Sequence, residues 1–233
     1  RFLRRSLVHG PGDLRGQPFR PEAWQVAMLR MLFGWREIAT GRRRYRTVFL
    51  YVPRKNGKTQ LMGGLACYLL CDEKAGGLGT MIYAAAADKA QAGLLLDVVP
   101  DNIKAATAGT VAGWQLSESV NMRSLQNLAT GATMRCLSKT APSKHGLNPS
   151  AVFIDELHAH PNADLVDALV TAGGARKEGL IFYTTTADLA GRDSPCNQKL
   201  QYAQQVRDGK IRDPSFLPII YAAPNTADWQ SEA

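Results

Sequence analysis

The sequence predicts an α/β domain with a mainly parallel central sheet flanked by helices, and three observations carry that prediction. Residues 48–52, 80–86, 151–154 and 179–183 are almost wholly apolar rather than alternating, the pattern of strands buried on both faces. Stretches with helical spacing separate these runs, as parallel strands require crossover connections. Polar chemistry sits at the strand ends: Gly57-Lys58-Thr59 follows the first run and Asp155-Glu156 follows the third.

The 233 residues, 45% of them hydrophobic, suffice for one sizeable core. We place that core at 1–193, with a basic leader, and assign 194–233 to a small lid or linker segment. No apolar run approaches a membrane span, so no membrane partner is expected. The basic start, Arg1-Phe2-Leu3-Arg4-Arg5, is not followed by the apolar stretch of a secretion signal. The chain begins without Met, as a fragment or processed product would. Four scattered cysteines, Cys67, Cys71, Cys136 and Cys196, read as buried reduced thiols rather than as a zinc site. The net charge of +8 is uneven: residues 1–60 hold fourteen Lys/Arg against three Asp/Glu, and the remainder fourteen against seventeen. A basic first third suits a polyanionic partner, although a run such as Arg42-Arg43-Arg44 also makes an ordinary solvated face.

In order along the chain, residues 1–20 are rich in Gly, Pro and Arg and read as an irregular leader. A helix starts at Pro21, with Trp24, Met28, Met31, Leu32 and Trp35 on one face and Gln25 beside it. The strand at 48–52 then meets Pro53-Arg54-Lys55-Asn56-Gly57-Lys58-Thr59, and a helix follows over 60–71. Strand, turn and helix in that order make a phosphate-binding loop, in which backbone N–H groups and the helix N-terminus cradle phosphate oxygens. Lys58 then reaches the β- and γ-phosphates, and the Thr59 hydroxyl ligates Mg²⁺. The first glycine of the usual G-x-x-x-x-G-K-[ST] pattern is replaced by Val52.

Beyond the strand at 80–86, Asp88 can cap a helix over 89–99 that Pro100 ends. Residues 119–125 and 132–137 flank the turn Ala129-Thr130-Gly131 and predict an antiparallel hairpin at a sheet edge. Residues 138–149 form a polar loop. The strand at 151–154 then delivers Asp155 and Glu156 to its carboxyl end. Two adjacent acids there are costly unless a cation or a reacting water uses them. Asp155 would hold Mg²⁺ and Glu156 would deprotonate the attacking water, although an ordinary helix N-terminus also favours such acids. Thr184, Thr185 and Thr186 end the strand at 179–183; their hydroxyls could sense the γ-phosphate, or the run could simply reflect β-propensity. His158 and His160 lack the spacing and partners of a transition-metal site. Residues 197–208 read as a helix and 216–221 as a short strand.

Three stretches together resemble the large terminase subunit of tailed bacteriophages, the ATP-driven motor that packages DNA into proheads. They are Val52-Pro-Arg-Lys-Asn-Gly-Lys-Thr, Gly146-Leu-Asn-Pro-Ser-Ala-Val-Phe-Ile-Asp-Glu-Leu-His-Ala-His and Tyr183-Thr-Thr-Thr-Ala; Pro21-Glu-Ala-Trp-Gln and Leu32-Phe-Gly-Trp fit as well. The resemblance implies a P-loop NTPase fold of the RecA/ASCE-like kind, with ATP and Mg²⁺ as ligands. It implies adenine contact by Gln25 and phosphate or metal contact by Arg54, Lys55, Asn56, Gly57, Lys58 and Thr59. Asp155 and Glu156 would hydrolyse, and Thr184 to Thr186 would couple hydrolysis to movement. A basic residue supplied in trans would complete the site, with Arg135, Lys139 and Lys144 as candidates. Implied partners are double-stranded DNA, the portal protein, the small terminase subunit and further copies in a ring, in the cytoplasm of an infected bacterial host. The isolated chain is expected as a monomer. No third carboxylate cluster follows residue 193, so the chain is expected to be the ATPase part without the family's nuclease.

Two other functions fit less of the sequence. A helicase or remodeller would carry a second RecA-like domain with its own arginine motif. A non-catalytic nucleotide-binding scaffold has no need of Glu156.

Overall fold

A computed structural model describes residues 2, 7–77, 79–87, 89–107, 113–118, 123–137, 147–174, 176–189 and 191–222. In chain order the elements are α1 (Ala23–Gly34), β1 (Thr47–Tyr51), α2 (Lys58–Cys71), the short α3 (Glu73–Gly76), β2 (Met81–Ala85), α4 (Lys89–Ala106), β3 (Trp114–Glu118), β4 (Arg123–Asn127) and β5 (Thr133–Leu137). There follow β6 (Ala151–Ile154), a single 3-10 turn (Leu157–Ala159), α5 (Asp164–Gly173), β7 (Leu180–Thr185), α6 (Pro195–Arg207) and β8 (Phe216–Ile220).

The strands form one eight-stranded sheet in the order β3-β4-β5-β2-β6-β7-β1-β8. Pairing is parallel from β5 through β8 and antiparallel among β3, β4 and β5. The sheet lies between two helical layers because successive side chains on each strand face opposite ways. Val48 and Leu50 of β1, with Phe153 and Phe182, pack on the side of α1, α2 and α4. Phe49, Val152, Ile154 and Tyr183 pack on the other side, with Leu165 and Leu169 of α5 and Cys196 and Ala203 of α6. Strands buried on both faces cannot alternate, which is why they read as continuous apolar runs.

Several local expectations are corrected. The helix after β2 does not stop at Pro100 but runs on to Ala106 with the proline inside it. Its apolar face continues through Leu95, Leu96, Val99 and Ile103, all buried, and the Asn102 amide donates to Val98 O at 2.8 Å. That continued burial outweighs the one backbone donor Pro100 removes. The predicted edge hairpin exists as β4 and β5, but β3 adds a third antiparallel strand outside it. Trp35 falls beyond the end of α1 and is 49% exposed; Leu29 takes the place on the buried face that the spacing gave to it. The leader is tied down at several points. Leu7 and Phe19 are buried, Gln60 exchanges hydrogen bonds with Val8 O and Gly10 N–H, and Asn102 accepts from Val8 N–H. The helix and the short strand expected over 197–208 and 216–221 are present as α6 and β8, and β8 pairs with β1 in the same sheet. The expected Asp88 cap and residues 138–146 lie outside the described residues.

Candidate active site

At the carboxyl end of β1 the Val52 N–H still donates to Thr185 O of β7 at 3.1 Å, and there the ladder ends. The chain then turns through Lys55 and Gly57, both left-handed at φ 65° and 68°. The Asn56 amide donates to Pro53 O and Arg54 O at 3.1 Å each and braces the turn from within. Gly57 is the residue before α2, and a side chain there would be strained by its φ rather than by crowding. The first turn of α2 has neither a side-chain cap nor an acidic residue, so its N–H groups and positive dipole end are open to an anion.

Lys58 opens α2 and is buried, with its ammonium 3.4 Å from Val52 O, 3.4 Å from Pro53 O and 3.8 Å from Glu156 Oε1. Gln25 is also buried. Its carbonyl oxygen accepts from Glu22 N–H in the capping box of α1, and its amide reaches Asn56 O at 3.5 Å. It therefore joins the start of α1 to the loop between β1 and α2. Arg54 and Lys55 are exposed on the loop, and Thr59 follows Lys58 in the first turn of α2.

The acidic pair comes from β6, with β7 between it and β1. Asp155 Oδ1 accepts from the Thr184 hydroxyl at 2.6 Å and from Glu156 N–H at 2.9 Å. Burial pushes the Asp155 carboxyl above the usual carboxylate range, against the opposing pull of the Thr184 hydrogen bond. Glu156 is left-handed, at φ 47° and ψ 56°. One of its oxygens faces Lys58, while Oε2 is buried with no hydrogen-bond partner among the described residues; His158 Nδ1 lies 3.2 Å from that oxygen but off the line of a hydrogen bond.

Strand alternation divides the threonine run. Thr184 faces the α2 layer, between Asp155 and Met62 Sδ, whereas Thr185 faces His158 and Cys196 Sγ. Both threonines, and Thr186, are buried. Pairing of Thr184 with Asp155 was not legible in the run of three hydroxyls; it depends on β7 lying beside β6. His160, set aside with His158 as a metal ligand, is buried with Nε2 3.2 Å from Asp155 O. Burial lowers its pKa, so the neutral ring donates to that carbonyl and props the strand end. Among the described residues no group of three or more His, Cys, Asp or Glu is arranged to hold a metal ion. One carboxylate and one hydroxyl are nevertheless enough for Mg²⁺ when phosphate oxygens and water complete its shell. Arg135 is exposed on β5, four strands from β1 or about 19 Å at the usual strand spacing, and Lys139 and Lys144 lie outside the described residues.

A glycine-lysine-threonine loop and an acidic pair, on strands separated by a third, have the placement of the P-loop ASCE fold. Residues 23–205 match the family described as terminase large subunit, ATPase domain, and the chain belongs to that family. It is 26% identical over 234 residues to the terminase large subunit of Enterobacteria phage HK97, covering 97% of this chain and 42% of that protein. A shorter match, 29% over 84 residues, covers 36% of this chain and 18% of the protein YmfN of Escherichia coli (strain K12). The crystal structure of the HK97 large terminase superposes with a TM-score of 0.78 at 23% identity, over 97% of this chain and 44% of that one. A large terminase from a thermophilic bacteriophage, solved in complex with ADP, gives 0.50 at 12% identity over 81% and 43%. Both structural likenesses speak to the fold. The chain spans less than half the length of the large terminases it matches.

Proposed function

We propose that this chain hydrolyses ATP and that the hydrolysis drives double-stranded viral DNA into a prohead. The observation that carries the reading is Glu156, whose left-handed backbone sets one carboxylate oxygen toward Lys58 and leaves the other buried with no hydrogen-bond partner among the described residues. An orphaned buried acceptor costs about 1–3 kcal/mol and suits a general base that takes a proton from water. The uncapped start of α2 and the buried Asp155 carboxylate fit a phosphate and a divalent cation in the same way.

In this reading Arg54, Lys55, Asn56 and Gly57 wrap the phosphates, Lys58 neutralises the β- and γ-oxygens, and Gln25 meets the adenine beside the loop. Mg²⁺ held by Thr59 and Asp155 supplies further charge neutralisation on the transferring phosphoryl group. Thr184 keeps the Asp155 carboxylate turned toward α2. Glu156 accepts the proton of the attacking water. Thr184, Thr185 and Thr186 carry the change at the γ-phosphate into β7, which touches the loop strand along its length. The ADP complex of the thermophilic phage protein supports a nucleotide in this fold. The larger assembly in the proposal comprises duplex DNA, the portal protein, the small terminase subunit and a ring of copies, in the infected cell's cytoplasm.

The test is steady-state ATP hydrolysis by the wild-type chain and by Glu156→Gln, each with and without double-stranded DNA. We expect Mg²⁺-dependent turnover in the first and loss of about 100-fold or more in the second, the scale of general acid–base catalysis. Equal rates in the two would remove Glu156 from the chemistry.

A further inference from the structure

We propose that His158 is a positioning residue, tethering the Glu156 carboxylate to the threonine end of β7 so that base and strand move as one. The proposal rests on the ATPase reading for its consequence and on contacts alone for its geometry. The 3-10 turn Leu157–Ala159 is anchored by the fully buried Leu157 and swings the next side chain back over Glu156. Nδ1 of His158 then lies 3.2 Å from Glu156 Oε2, 3.2 Å from Thr185 Oγ1 and 3.4 Å from Thr186 Oγ1. The backbone N–H of His158 also donates to Thr185 Oγ1, at 3.2 Å.

Thr185 is oriented for this. Its hydroxyl donates to Thr186 O at 2.9 Å, which leaves its lone pairs for His158. Because the Thr185 hydrogen is directed at Thr186 O, the tautomer with hydrogen on Nδ1 donates to Thr185 Oγ1, and this holds the polar edge of the ring beside Glu156 Oε2 without pointing the hydrogen at it. The tether also answers a backbone question. A glutamate in the left-handed region holds its place only when its surroundings over-determine it, and among the described residues the His158 ring and Lys58 are what meet its carboxylate. Thr185 continues the path: its hydroxyl is 3.4 Å from Cys196 Sγ, in the first turn of α6. A displacement of the base is thus transmitted to the end of β7 and the start of α6. The two histidines divide the work, His160 holding the backbone of the acidic pair and His158 the reacting side chain.

Three substitutions test this: His158→Ala, His158→Gln and His158→Asn. An asparagine places its amide nitrogen near the position of Nδ1, whereas a glutamine reaches the position of Nε2. With the whole chain, Mg²⁺·ATP and duplex DNA, we expect His158→Ala and His158→Gln to lower kcat by about 10- to 100-fold, the scale of misplacing a catalytic group by an ångström. KM for ATP should change by less than about threefold, because a positioning role acts on the transition state rather than on nucleotide binding. His158→Asn should recover most of the rate. Unchanged kcat in His158→Ala would overturn the proposal, as would equal loss in the asparagine and glutamine variants. Urea unfolding of His158→Ala, Thr185→Val and the double variant is an independent measure that needs no turnover. A non-additive shift in midpoint is expected for a direct contact, and additivity would overturn the tether. A wild-type chain that hydrolyses nothing would count against the ATPase reading, while the urea cycle still decides the tether.

Discussion

Glu156 and Asp155 are neighbours in sequence with opposite side-chain economies. Asp155 is held by two hydrogen bonds, whereas Glu156 has one oxygen without a hydrogen bond among the described residues. Their substitutions should therefore separate. Glu156→Gln is expected to keep ATP affinity and lose turnover, whereas Lys58→Ala is expected to lose tight binding, since in the proposed reading the lysine would meet the ground-state phosphates as well as the transition state. Isothermal titration with Mg²⁺·ATP checks this, and equal loss of binding in the two would refute the division of roles. Asp155→Asn should lose Mg²⁺-dependent turnover yet raise the melting temperature. The asparagine oxygen can still accept from Thr184, and the buried charge is gone. The sign follows from the raised pKa: an acid raised on folding weakens the fold where it is ionised, above its folded pKa, and has no such effect below its unfolded pKa. The gain should thus be present at neutral pH and fade as pH falls through the carboxylate range. Each kcal/mol recovered is worth about 2–4 °C in a chain of this size, and calorimetry at two pH values reads it.

At the scale of elements, α2 and α4 pack so closely that glycines mark the crossing. A Cβ at Gly63 would stand 2.4 Å from Val98 Cγ1 and 2.8 Å from Val98 Cβ, whereas at Gly64 its close neighbour is the Leu7 terminal methyl at 2.4 Å. Helix propensity favours alanine at both positions by about 1 kcal/mol. Val98 is β-branched and fixed on a helix, so Gly63→Ala should destabilise by about 1–3 kcal/mol through overpacking. Leu7 meets it with the far end of its side chain, which can change rotamer, so Gly64→Ala should cost less than Gly63→Ala. Urea midpoints of the two variants, and recovery of Gly63→Ala by Val98→Ala, test the argument. The same crossing explains what sequence could and could not show. The strands β1, β2, β6 and β7 were legible because burial on both faces removes alternation. The loop and acidic pair were legible because each follows such a strand directly. Pro100 misled because its local penalty is visible in the sequence, while the α2 and core partners that keep α4 helical beyond it are not. The split of Thr184 from Thr185, and the reach of His158 to both Glu156 and Thr185, depend on which strand lies beside which. Nothing within 151–160 or 180–186 alone specifies that order.

For the molecule as a whole, the site is built from one end of three adjacent parallel strands, and Arg135 stands far across the sheet from the loop of its own chain. An arginine or lysine from a neighbouring copy is therefore the proposed completion of the site, worth about three to five orders of magnitude in rate in related phosphoryl transfers. The isolated chain should hydrolyse slowly, with specific activity rising as protein concentration rises. Mixing Glu156→Gln chains with chains altered at Arg135, Lys139 or Lys144 should restore activity for the residue that acts in trans. High activity independent of concentration would mean that one chain holds a complete site.

The pairing of β8 with β1 has a mechanical consequence. The two strands run parallel in register from Thr47 opposite Phe216 to Tyr51 opposite Ile220, and Tyr221 N–H donates to Tyr51 O at 2.9 Å. Tension drawn along β8 from its carboxyl end would load these rungs together in shear, instead of opening them one by one like a zipper. The strand that shares the load is the one that ends at the phosphate loop. A pull on the chain after residue 221 would thus be felt two residues from Pro53 without passing through any other element, so a load applied downstream would bear directly on the turn that opens α2.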